Sequence, residues 1–162
     1  MRSILTSLTF LVFLVWSCIV LGGGLYEAIA VWPLVAADPP RSLAVTNQVL
    51  AVAGRAGMFF WSWATPGLGL VGLAALLTSF GTPRPHRTWR IASTVLLLVT
   101  VAATFLYFRP TIISLVVNHG GGQPGDEIAA QMRRWVMLNW VRATAVAVSI
   151  GMGVRALLLS KA

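Results

Sequence analysis

Acidic side chains are almost missing from this chain: four Asp and Glu stand against twelve Lys and Arg in 162 residues. Cysteine and histidine are scarcer still, with one and two copies. A single cysteine makes neither an internal disulfide nor a thiolate metal cluster, so Cys18 is expected to be a packing residue. His86 and His119 fall in segments that belong to opposite membrane faces, which excludes a shared metal ion and a bis-histidine haem. No metal and no other cofactor is expected, and no Ser, His and Asp arrangement presents itself. Long polar stretches are also missing, which leaves no room for a separate soluble domain. What is abundant is apolar: 57% of the residues are hydrophobic and only 10% are charged. That balance excludes a water-soluble core of this size and indicates one membrane domain spanning residues 1–162.

Four segments are long enough to cross a hydrocarbon core of about 30 Å at about 1.5 Å per residue. They cover approximately 4–32, 49–80, 89–108 and 135–159. The expected fold is therefore all-α, an integral membrane four-helix bundle. An even number of spans puts both termini on one face, which collects Arg2, Arg84, Arg87, Arg90, Arg155 and Lys161 and no acid. Glu27, Asp38, Asp126 and Glu127 fall on the other. This asymmetry predicts cytoplasmic N and C termini in a multi-pass protein of the cell (inner) membrane. The net charge of +8 is then an orientation signal that also touches anionic membrane lipids, and nucleic acid is not an expected partner. Leu14-Val15-Trp16-Ser17-Cys18 has the outline of a lipoprotein cleavage box. Trp16 is bulky where a small residue is needed, however, and the chain stays apolar to Trp32, so a retained helix is expected.

Local signals refine the spans. Gly22-Gly23-Gly24 permits a kink or the close approach of a neighbour, and lacks the Lys and Ser or Thr of a phosphate loop. Trp32 and Pro33 read as an aromatic anchor and a helix stop. Pro66, Gly67, Gly69 and Gly72 predict an interruption of the second helix near mid-membrane. Pro110 is expected to kink or stop the third, and Asp126-Glu127 suits the start of the helix that becomes the fourth. There Ala143, Ala147 and Gly151 form a small-residue stripe suited to an internal contact or to a homo-oligomer.

The polar residues are unevenly distributed. Glu27, Asn47, Arg55, Arg109, Asn118, His119, Asn139 and Arg142 fall in the outer third of the bundle or at its rim, while the inner two-thirds of the spans hold no charge. That pattern predicts a polar chamber opening to the non-cytoplasmic side, and argues against a pore or proton path, which needs polar groups at every depth. Trp135, Asn139 and Arg142 recur at four and three residues and share a helix face. The Met58-Phe59-Phe60-Trp61-Ser62-Trp63 cluster either lines a flat ligand or faces lipid and packs the core. Glu27 either serves chemistry or forms an ion pair with Arg55 or Arg142 that holds the helices in register.

Gly23-Gly24-Leu25-Tyr26-Glu27, Val31-Trp32-Pro33 with Pro39-Pro40, Tyr107-Phe108-Arg109-Pro110-Thr111 and Trp135-Val136-Met137-Leu138-Asn139-Trp140-Val141-Arg142, in that order, resemble the anthrone oxygenase-like family of small four-helix membrane proteins. Arg109 departs from it, standing where a small or apolar residue is more usual. The resemblance implies a four-helix bundle and oxidation of an anthrone to an anthraquinone by molecular oxygen, without cofactor. In that reading Glu27, or else His119, is the general base. Arg142, with Asn139 and Arg55, stabilises the enolate oxygen. Phe59, Phe60, Trp61 and Trp140 wall the hydrophobic small molecule, near Asn118 and His119. The alternative is a non-catalytic protein that binds a lipid or amphiphile in the same chamber, or an accessory subunit of a membrane complex. Secondary transport is weaker, because four spans are few.

Overall fold

The computed structural model describes residues 2–39, 41–43, 54–117 and 124–159, with the side chains of Arg2, Ser3, Arg55, Ala56, Met58, Val116 and Val117 outside that set. Asn47, Asn118 and His119 lie outside the described residues as well. Every regular element among the described residues is helical. Four helices are long and apolar enough to cross a membrane. α1 (Arg2–Tyr26) continues through a π-helical turn, Glu27–Val31, into a last α turn, Trp32–Val35. α2 is Gly54–Ser79, and α3 (His86–Ala103) continues through a π turn at Thr104–Phe108, an α turn at Arg109–Ile112 and a second π turn at Ile113–Val117. α4 is Gly125–Leu159. Successive helices pack as neighbours and α4 returns to α1, an up-and-down bundle whose broadest seam joins α3 and α4.

Two expected breaks are absent, the interruption at Pro66 and a stop at Pro110, while the first helix does end at Val35, just past Pro33. A proline lacks an N–H and its ring collides with the carbonyl four residues earlier. For Pro33 that carbonyl belongs to Ile29 and for Pro110 to Leu106, and both lie inside π turns, Glu27–Val31 and Thr104–Phe108. The wider turn takes up the misfit, so the third helix runs on past Pro110 to Val117, and the first reaches Val35 before it ends. Pro66 also sits inside an unbroken helix, α2, with no π turn beside it. The glycines around it serve close packing: a Cβ at Gly67 would lie 2.6 Å from the Trp16 ring, whose Nε1 donates to Ala64 O at 2.9 Å. At Gly23 the approaching ring is Phe60, 2.9 Å from where a Cβ would stand.

The α3–α4 seam is closed by two serines. Ser93 Oγ donates to Ser149 O at 2.7 Å and Ser149 Oγ returns a bond to Ser93 O at 2.8 Å. Gly153 lets this contact form, since a Cβ there would overlap Leu14 and stand 3.1 Å from Ser93 Oγ. The small-residue stripe lies elsewhere: Ala147 and Gly151 are exposed, and nothing approaches Gly151 within 4 Å. Cys18, expected in the packing, is exposed on α1. Arg90, counted from the sequence as a charge of the basic face, is 4% exposed and stacks on Phe10 at 4.4 Å, so that end of the bundle does bury a charge.

Two apolar clusters form the core. One unites Phe10, Phe13, Leu14, Leu68, Leu97 and Val146 towards the end that carries both termini. The other unites Val35, Leu43, Phe108, Leu115, Met132 and Trp135 towards the opposite end. Between them, in sequence order on each helix, fall Glu27, Trp61, Thr104, Asn139 and Arg142. A polar layer thus separates two apolar ones.

Candidate functional site

Each polar group in this layer is set by a local feature of its helix. Glu27 and Thr104 are the first residues of two of the π turns, Glu27–Val31 and Thr104–Phe108, each six positions before a proline. Such turns locally widen the helix and recur at functional sites. Asn139 and Arg142 project from α4, with Arg142 seventeen residues from either end of that helix. Trp61 comes from α2, opposite the Gly23-Gly24 stretch that gives its ring and that of Phe60 room beside α1.

Trp61 Nε1 donates to Glu27 Oε1 at 2.6 Å, a short bond of the charge-assisted kind. Arg142 Nη1 donates to Thr104 Oγ1 at 3.1 Å, and that hydroxyl in turn donates to Thr100 O at 2.8 Å. The guanidinium also lies 4.8 Å from the centre of the Phe108 ring, a cation–π contact. Phe108 is itself fixed, because its carbonyl accepts the Trp135 indole N–H at 3.0 Å. Trp32 then packs edge-on against Trp135 with ring centres 4.5 Å apart. Glu27 and Arg142 attract through space, yet the close hydrogen bond of each goes to a neutral partner. A direct Glu27–Arg142 salt bridge is therefore not what holds these helices in register. Arg55 as the partner of Glu27 lies outside the described residues.

Asn139 is 2% exposed, and its Oδ1 has no hydrogen-bond partner among the described residues. A buried acceptor left unpaired costs about 1–3 kcal/mol, so such a group calls for a donor from water or a ligand. Asn139 and Arg142 line a cavity of about 30 Å³ together with Trp61, Thr65, Thr100 and Thr104. Its remaining wall is apolar, from Val20, Leu21, Leu68, Val101 and Val146. Arg142 thus offers donors, Asn139 an unused acceptor, and the cavity a dry wall behind them.

The residues expected from the sequence divide into three groups. Asn139, Arg142 and Trp61 meet at the cavity, and Glu27 stands directly behind Trp61. Phe60 packs on Gly23, one layer out. Phe59 and Trp140 point away from the cavity, at 71% and 42% exposure on the outer faces of α2 and α4. Thr104 and Thr100 escaped sequence reasoning, because a threonine inside an apolar span reads as ordinary helix. The available signal was the proline six residues on, which Thr104 shares with Glu27.

A family model described as anthrone oxygenase matches residues 50–152. The chain belongs to the anthrone oxygenase-like family. The match takes in α2, α3 and most of α4, and with them Trp61, Thr104, Asn139 and Arg142. It begins after Glu27, so the match covers the Trp61, Thr104, Asn139 and Arg142 part of the layer and leaves the carboxylate to be argued from geometry. Comparison with curated proteins and with solved structures finds no match.

Proposed function

We propose that this protein is a membrane-embedded, cofactor-independent oxygenase of a flat, apolar phenolic or anthrone-like substrate. In this reading both termini are cytoplasmic and the site lies in the outer part of the bundle in the inner membrane. The observation that carries it is the unpartnered, buried Asn139 Oδ1 on the cavity that Arg142 also lines, in a polar layer between two apolar ones. A phenol or enol oxygen is complementary to that pair, since its O–H donates to Asn139 while its lone pairs accept from Arg142.

The chemistry follows from the same groups. An anthrone CH₂ is acidified by the carbonyl and two rings, so a carboxylate can remove one proton to give an enolate. Arg142 stabilises the enolate oxygen, the kind of preorganised interaction worth about 10²–10³ in rate. The enolate reduces dioxygen by one electron, and the resulting radical pair combines into a carbon–oxygen bond. Glu27 returns its proton to the peroxide and then removes the second C–H proton. The O–O bond breaks, the carbon becomes a carbonyl, and the outer oxygen leaves as water. One anthrone and one O₂ give one anthraquinone and one H₂O.

Pockets for drug-sized ligands measure about 300–1,000 Å³, far above the roughly 30 Å³ found here. The ring system therefore enters where Trp61 now stands. Swinging Trp61 off Glu27 makes that room and uncovers the base in one movement. A structure with an anthraquinone product bound tests this. The expected pose has one quinone oxygen within hydrogen-bond reach of Arg142 and Trp61 displaced from Glu27. Quinone found only on the lipid-facing surface, with the Trp61–Glu27 bond intact, overturns it.

A further inference from the structure

Building on the oxygenase reading, we propose that the small cavity lined by Arg142 and Asn139 is the dioxygen site. Volume is the first argument. About 30 Å³ of space exceeds the ~10–15 Å³ that one water needs and admits a diatomic molecule, while no aromatic ring fits. Lining is the second. Val20, Leu21, Leu68, Val101 and Val146 supply branched apolar side chains from all four helices. Two of the three threonine hydroxyls that line the cavity are satisfied within the bundle: Thr100 Oγ1 donates to Leu97 O at 2.7 Å and Thr104 Oγ1 to Thr100 O at 2.8 Å. The branched wall offers an apolar gas dispersion contacts, while Arg142 and Asn139 on the same cavity offer a donor and an acceptor to a reduced oxygen species.

Position is the third argument. Arg142 and Asn139 line the same cavity as the branched apolar wall, so gas lodged there lies next to the guanidinium. As dioxygen accepts an electron, the developing negative charge forms beside the guanidinium, which stabilises it. When the peroxide is protonated, its O–H has a waiting acceptor in Asn139 Oδ1. The orphaned carbonyl oxygen thus acquires a partner during the reaction.

The test has two arms, one independent of turnover. Crystals of the wild-type protein are pressurised with xenon, and the gas is expected between Val20, Leu68, Val101 and Val146. Val101→Phe and, from the facing helix, Ala143→Leu are each expected to abolish that peak. In steady-state oxygen uptake the same two variants should raise the KM for dioxygen about tenfold, equivalent to ~1.4 kcal/mol, while the KM for the phenolic substrate stays within twofold. Two variants on different helices keep the result readable if one of them fails to fold. Xenon absent from the wild-type cavity, or an ordered water chain filling it, overturns the dioxygen site and leaves the oxygenase reading standing. An unchanged KM for dioxygen in both filled variants overturns it equally. Absence of any oxygen uptake by wild-type protein overturns the oxygenase reading instead, and the proposal with it.

Discussion

Replacing Gly67 by alanine tests the seam that sets the distance between Glu27 and Trp61. The new Cβ would stand 2.6, 3.2 and 3.4 Å from three atoms of the Trp16 ring, where carbon pairs rest at about 3.5–4.0 Å. The indole must therefore retreat by roughly 1 Å. It is not free to do so. Its Nε1 is bonded to Ala64 O at 2.9 Å, and its edge packs on Trp63 with ring centres 5.5 Å apart at 87°. A retreat of that size breaks the bond, losing about 0.5–1.5 kcal/mol. Overpacking adds about 1–3 kcal/mol, and the better helix propensity of alanine offsets about 0.8–1 kcal/mol. The net expectation is a destabilisation of about 1–3 kcal/mol. Gly151→Ala is the control, because nothing lies within 4 Å of its Cβ position and only the propensity gain remains. Thermal unfolding of both variants in the same detergent, with SDS titration as a second probe, measures the difference. If Gly67→Ala unfolds together with Gly151→Ala, the Trp16 contact does not fix the α1–α2 seam and the packing argument is wrong.

Other expectations are simpler. Ser93→Ala should destabilise the α3–α4 seam by about 1–2 kcal/mol, because its own bond is lost and a buried partner carbonyl is left less satisfied. Combining it with Ser149→Ala in a double-mutant cycle should show a coupling of at least about 0.5 kcal/mol, and strict additivity would argue against the reciprocal pair. Phe59→Ala and Trp140→Ala, on outward faces, should leave turnover within about threefold of wild type, whereas Thr104→Val should lower it by about tenfold or more, since it removes the acceptor that orients Arg142. Cys18, exposed on α1, should react with a small maleimide in detergent without prior unfolding. Protection comparable to that of a core residue would contradict its placement.

Much of the bundle was legible because bilayer thickness translates directly into span length. Arg142, Asn139 and Glu27 stood out for the same reason: polar groups in apolar runs are conspicuous. Helix ends were harder to read. Pro110 read as a kink or a stop, because a proline by itself does not say that a π turn before it will let the helix continue. Direction around a helix was harder still. Met58 to Trp63 is aromatic on every side, and only the bundle decides that Trp61 lines the cavity while Phe59 leaves it. Close packing fell on Gly67 and Gly153 instead of the regular Ala143, Ala147 and Gly151 stripe, since what matters is the neighbouring side chain, Trp16 or Leu14, and not the spacing itself. Thr104 went unnoticed because its role is to hold Arg142, a contact across 38 residues.

The most direct test of the oxygenase reading is turnover of an anthrone by the purified protein in nanodiscs, with quinone absorbance and oxygen uptake recorded together against a protein-free control. The expected result is one O₂ consumed per anthraquinone formed, no hydrogen peroxide released, and a fall of about 10²-fold or more in both Arg142→Gln and Glu27→Gln. A wild-type rate no faster than the protein-free control, or folded variants as active as the wild type, would contradict it.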